Sequence, residues 1–277
     1  MLGRRILVLV PHPDDEVVGC GAAIGRALGS SSKEAPAIFA AYLTTGVPSA
    51  DRLWPWHRKD HARRVAQRRE EARRAAELLG IQPLCFQDIP TRQLKEFLGP
   101  TRERLAGLIR ELAADTLWTP AYEGGHQDHD VTNFLASTLG DLVEVWEFSE
   151  YNYAHGRVRS HQFISPTGAE REVLLDSRER QRKQQLLAIY RSERGNLGHV
   201  GIEREVFRPL ARYDYSRPPH AGKLFYQRFQ WVPYHPRVDY ARPEQVCRAI
   251  KRFAAAESFS AADGRGAHAS SITRGRS

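Results

Sequence analysis

Three cysteines in 277 residues (Cys20, Cys85 and Cys247) are too few, too widely spaced and odd in number for a disulfide framework. None stands at zinc-finger spacing from another. Long hydrophobic runs are missing as well. The longest near the start, Ile6-Leu7-Val8-Leu9-Val10, is far too short to span a bilayer or to form the core of a secretion signal. No internal repeat is present, which excludes a solenoid. The expectation is therefore a cytoplasmic chain in a reducing compartment, without a transmembrane segment. What remains is ordinary for a globular protein: 41% hydrophobic and 27% charged residues, in a length that suits one large domain, or one domain with an appendage.

A net charge of +8 raises the question of nucleic acid, so the position of the charge matters. Much of it lies in residues 58–74, within RKDHARRVAQRREEARRAAELLG. There Val65, Ala66, Ala72, Ala76 and Leu79 recur at helical spacing while arginine and glutamate fill the other faces. That pattern reads first as a solvated amphipathic helix with internal ion pairs. Attraction of an anionic substrate or of membrane headgroups is the sharper alternative. Specific nucleic-acid binding is not expected, because no binding motif and no interleaved aromatic residues accompany the charge.

Along the chain, short apolar runs alternate with amphipathic stretches. Residues 6–10, 37–43, 83–89, 116–118 and 143–148 read as strands; 19–28, 59–79 (stopped by Gly80), 102–113 and 131–139 read as helices. Such alternation predicts an α/β fold, a Rossmann-like and mostly parallel sheet with helices on both faces. After about Glu150 the pattern changes. Residues 157–164 and 172–175 suggest an antiparallel hairpin across a Ser-Pro-Thr-Gly turn, and 178–190 a polar helix. Residues 205–240 show no clear periodicity. The chain thus divides into a core at 1–150, a smaller C-terminal region at 151–256 and a tail at 257–277 whose composition reads as disordered.

Two segments carry chemistry. Pro11-His12-Pro13-Asp14-Asp15-Glu16 follows the first strand directly, where an open α/β sheet binds its ligands. An imidazole with three carboxylates suits zinc or another first-row divalent ion. Acidic residues at a helix N-terminus would favour the dipole, but that alone requires neither the histidine nor the prolines. The second segment, Tyr122-Glu123-Gly124-Gly125-His126-Gln127-Asp128-His129-Asp130, follows the strand at 116–118 and could meet the first across the sheet. Its two histidines bracket an aspartate, so one could ligate metal while the other is oriented by carboxylate. Taken singly it could be a surface loop or a helix cap; paired with the first segment, it points to a metal site. The remaining histidines are scattered one by one.

At these residues the sequence resembles the PIG-L/LmbE-like N-acetylglucosaminyl deacetylases: PHPDDE after a buried strand, GGHQDHD at the next site, with YLTTG and RREEARRAAELLG in the fitting order. The resemblance covers about residues 4–150, with VWEFSEYNY a continuation. It implies a hydrolase of linear amide bonds that removes an N-acyl group, acetyl above others, from an amino sugar or glycoconjugate. It further implies His12, Asp15 and His129 as ligands of Zn2+ (iron(II) or another divalent ion being the alternatives), with a fourth position open for water. Asp14 matches the general base. His126 matches the residue that supports the tetrahedral intermediate or protonates the amine, with Asp128 holding its imidazole protonated. Arg68 resembles a substrate-contacting arginine, and residues 151–256 would complete the substrate pocket. Val47, Thr91-Arg92 and Gln127 depart from the family's usual residues; the first two departures bear on substrate identity. An amidase of thiol–sugar conjugates and a non-catalytic sugar-binding module of the same fold are the alternatives. The oligomeric state is not legible in the sequence.

Overall fold

The computed structural model describes residues 3–29 and 35–270, with side chains beyond residue 257 left aside. β1 (Arg5–Val10) shows how the fold begins. Its alternate side chains enter different cores: Ile6, Val8 and Val10 pack on one face of the sheet, Leu7 and Leu9 on the other. A strand buried on both faces reads as a continuous apolar run, and each such side chain contributes about 1.5–3 kcal/mol on burial.

Around β1 a seven-stranded sheet forms in the order β3-β2-β1-β4-β5-β9-β8. β2 (Ala37–Tyr42), β3 (Gln82–Phe86), β4 (Thr116–Pro120) and β5 (Glu144–Ser149) run parallel with β1. The helices α1 (Asp15–Gly29) and α2 (His61–Leu79) cover the first face, and α3 (Leu98–Leu112) and α4 (Gln127–Ser137) the second. The expected doubly covered α/β sheet is present. α2 ends where the sequence indicated: Gly80 takes φ +81° and its N–H returns to the Ala76 carbonyl.

Beyond Glu150 the pairing differs from expectation. The segment at 157–164 does not form a hairpin with 172–175. Instead β7 (Arg159–Ser160) pairs with β6 (Tyr151–Asn152) in a separate two-stranded sheet. β8 (Arg171–Leu174) pairs antiparallel with β9 (Arg204–Pro209), which pairs antiparallel with β5 and extends the main sheet. β9 is hard to read because two of its buried positions are charged. Glu205 meets Lys183 Nζ at 2.7 Å, and Arg208 Nε meets Glu147 at 2.6 Å. Ion pairing replaces the apolar residue that a periodicity argument looks for.

Lys183 belongs to α5 (Ser177–Leu187), opened by a capping box between Asp176 and Glu179. The last helix, α6 (Pro243–Ser270), places Val246 and Ile250 in the second core. It continues through residues 257–270, where composition suggested disorder; alanine, frequent there, is the strongest helix former. Residues 271–277 of the expected tail lie outside the described residues. Among the described residues, no helix is long and apolar enough to cross a membrane.

Candidate metal centre

β1 and β4 are neighbours in the sheet, and the connections leaving their carboxyl ends run to opposite faces. This is the switch point at which open α/β sheets form a crevice. Both sequence segments stand there. Pro11–Asp14 links β1 to α1, and Ala121–His126 links β4 to α4.

The first link is tightly bound to itself. His12 N–H donates to Asp15 Oδ2 at 2.7 Å, and Asp14 N–H donates to Glu16 Oε2 at 3.1 Å. Asp14 has φ +132°, a conformation costly for a residue with a side chain and maintained only by surrounding contacts. Those contacts include Tyr190, whose hydroxyl donates to Glu16, and Arg68, which donates to the Pro13 carbonyl. In the second link Gly124 takes φ +70°, and a Cβ on Gly125 would overlap the Tyr151 carbonyl oxygen. His126 caps α4, its Nδ1 accepting the Asp128 N–H at 3.1 Å.

Three ligand atoms converge. His12 Nδ1, Asp15 Oδ2 and His129 Nε2 lie 3.3, 3.3 and 3.2 Å from one another. Tetrahedral zinc with bonds of about 2.0–2.1 Å places its ligand atoms about 3.3 Å apart, so this donor set fits such an ion. A second grouping of His12, His126 and Asp128 also lies within 4.8 Å. There, however, the His12 Nε2 edge already meets Asp128 Oδ2 at 3.0 Å. The first set is the better cation site, and the His12–Asp128 contact supports it from behind.

Electrostatics follow from burial and these contacts. Burial alone would lower the His12 pKa, but Asp15 and Asp128 push it up to about 10. Burial would raise Asp15, yet His129 and His12 hold it well below the usual carboxylate range. Asp14 is raised by burial, against the pull of Arg68, whose Nη2 lies 3.3 Å from its Oδ2. His126 is lowered by burial and by nearby His12, which outweigh Asp128.

Two sequence expectations change here. Asp128 does not chiefly serve His126, whose Nδ1 lies 3.6 Å from its Oδ2. Besides His12, that carboxylate accepts the Thr91 hydroxyl at 3.0 Å and the Arg92 N–H at 2.6 Å. His126 Nδ1 is spent as the acceptor of the Asp128 N–H, which leaves Nε2 as the edge of the ring that can donate, and burial lowers its pKa. Arg68, likened in the sequence to a substrate-contacting arginine, is 2% exposed and turned inward onto Asp14. Thr91-Arg92, noticed only as a departure from the family, clamps Asp128. Glu123 lies in the second segment and Glu150 in the VWEFSEYNY stretch, but the sequence assigned neither a role, and Tyr190 carried no site signal.

Other arginines of α2 and its approach do pair, as expected of a solvated face: Arg63 with Asp60 at 3.2 Å and Arg69 with Asp88 at 2.5 Å.

Comparison with known proteins agrees with this picture. Residues 7–139 match the PIG-L family model, GlcNAc-PI de-N-acetylase. A 2'-N-acetylparomamine deacetylase from Streptomyces fradiae is 36% identical over 144 residues, 45% of this chain and 48% of that protein. The matched stretch thus spans about half the length of that relative. The zinc-inhibited form of a teicoplanin deacetylase shares the fold with a TM-score of 0.56 and 18% identity, covering 76% of this chain and 99% of its own. So does the 4-carboxy-2-hydroxymuconate hydratase GalB from Pseudomonas putida, with a TM-score of 0.51 and 19% identity over 76% of this chain and 98% of its own. The fold hosts more than one reaction, so the function rests on the site.

Proposed function

We propose that this chain, whose residues 7–139 carry a PIG-L domain, is a metal-dependent hydrolase that removes an N-acetyl group from an amino-sugar substrate. The observation that carries this reading is the triangle of His12 Nδ1, Asp15 Oδ2 and His129 Nε2, closed to 3.2–3.3 Å, with the carboxyl of the adjoining Asp14 held by Arg68 outside it. The named relative, a deacetylase of an acetylated aminoglycoside, supports the substrate class.

His12, Asp15 and His129 would hold the ion. A divalent cation there acidifies water and polarises an amide carbonyl. Asp14 takes the proton that a water loses on attacking the acyl carbon, then passes it to the departing nitrogen. Its strained backbone and the Arg68 contact fix the direction of that carboxylate. His126, neutral with its proton on Nε2, donates to the oxygen that gains charge as the acyl carbon becomes tetrahedral. That role replaces the imidazolium expected from the resemblance. Arg68 acts through Asp14, as a positioning residue.

The C-terminal region forms walls of the pocket in this reading. Glu193 approaches Arg68 at 3.8 Å, Tyr151 meets the His129 ring at 5.7 Å, and the Pro236 and Val238 carbonyls accept from Arg92. Zinc, with iron(II) as the alternative, is the expected ion. The test is acetate release by metal-loaded protein from a panel of N-acetylated amino sugars and aminoglycosides. Release from at least one, abolished by chelation, supports the reading; a metal-loaded protein inert on the whole panel opposes it.

A further inference from the structure

Glu150 follows β5 directly and is fully buried, yet neither of its carboxylate oxygens has a hydrogen-bond partner among the described residues. Its ion-pairing contact is with His129, whose Nδ1 lies 3.5 Å from Oε2. The turn that carries it is built with care. Glu123 accepts the backbone N–H groups of Glu150 at 2.7 Å and Tyr151 at 3.0 Å, together with the Ser149 hydroxyl at 2.8 Å. Glu123 stands three residues before His126, so the loop that leads into α4 also holds the turn bearing Glu150. Room is left on the other side by Gly19, where a Cβ would overlap the Phe148 ring and come within 3.1 Å of Glu150 Oε1.

A buried carboxylate without a hydrogen bond is among the costliest groups a fold can retain. We propose that Glu150 is a positioning residue for His129: it accepts the proton of Nδ1–H and so leaves Nε2 free to hold a divalent cation. The proposal rests on reading the site as a metal centre. It gives the two ligand histidines mirrored supports. His12 faces the site through Nδ1 and is backed at Nε2 by Asp128, whereas His129 faces it through Nε2 and is backed at Nδ1 by Glu150. A carboxylate behind a ligating imidazole fixes its tautomer, aims the ring and raises its basicity.

The experiment titrates metal-stripped full-length chain with Co2+, reading affinity and coordination from the visible absorption bands, for wild type, Glu150→Gln and Glu150→Leu. The Tm of each metal-free form is measured alongside. Glu150→Gln should lose about 10–100-fold in Co2+ affinity, and Glu150→Leu at least as much. The metal-free Tm should hold or rise in both, because a buried carboxyl group without a hydrogen bond has been removed. A structural residue would behave otherwise. If Tm falls, or neither variant folds, Glu150 serves the fold and the proposal is overturned. Co2+ affinity in Glu150→Gln within about twofold of wild type overturns it equally, since such a support is worth at least about tenfold. Wild type that takes up no Co2+ defeats the functional reading and this one together; wild type that binds and a Gln variant that matches it defeat this one alone.

Discussion

The Asp128 carboxylate lies 3.0 Å from Nε2 of His12, on the edge of the ring opposite the one that faces Asp15 and His129. The aspartate at the centre of the second sequence segment thus backs an imidazole from the first, the proposed ligand His12, and links the carboxyl ends of β1 and β4.

Replacing that carboxylate should therefore be felt in metal binding. Asp128→Asn keeps the side-chain shape and leaves the backbone N–H that His126 accepts. It should weaken Zn2+ affinity about 10–100-fold, as measured by competition with a chromophoric chelator. Unchanged affinity with reduced turnover would return Asp128 to the service of His126.

Asp14→Asn should behave in the opposite way. Asp14 is not among the three converging ligand atoms, so metal content by elemental analysis should stay near wild type. Turnover should fall by about two to four orders of magnitude, the worth of a positioned general base. Near-normal kcat with metal retained would dismiss Asp14 as the base.

Metal uptake should release a proton at neutral pH. In the metal-free chain Asp15 and Asp128 overcome burial and hold His12 protonated up to about pH 10. A cation must displace that proton, so apparent affinity should rise by about one decade per pH unit between pH 7 and 9. Calorimetric titrations in two buffers of different ionisation enthalpy count the protons released. Affinity that is flat with pH would contradict the buried His12–Asp15–Asp128 arrangement.

Much of the parallel sheet was legible because its central strands are apolar on both faces and a glycine ends α2. β1 and Gly80 are examples. A candidate metal site was legible because histidine and aspartate cluster at strand ends, while the choice of His12, Asp15 and His129 among them was implied by the resemblance. What stayed hidden has a common cause: charge buried against charge. β9 escaped because Glu205 and Arg208 are paired inside, and for Arg68 the resemblance implied contact with substrate, whereas its inward contact with Asp14 is not legible in an arginine-rich helix. The partner of Asp128 could not be read from spacing, since His12 is 116 positions away in the chain.

Gly125→Ala tests the coupling between the histidine loop and the turn at 149–152. A methyl group there would press on the Tyr151 carbonyl, and overpacking of this kind costs about 1–3 kcal/mol. Chemical denaturation should show that loss, and Co2+ affinity should fall with it as the turn shifts. Unchanged stability would mean that the loop yields freely.

The central claim is that His12, Asp15 and His129 form a cation site that serves hydrolysis of an N-acetyl amino sugar. Its most direct test is acetate release, with metal content measured on the same samples, for wild type and His129→Ala supplied with equal Zn2+ or iron(II). Wild type should carry about one ion per chain, the capacity of a three-ligand site, and release acetate from at least one N-acetylated amino sugar, while His129→Ala should lose both metal and acetate release. Acetate release by His129→Ala at the wild-type rate, or metal-replete wild type inert on every such sugar, would contradict it.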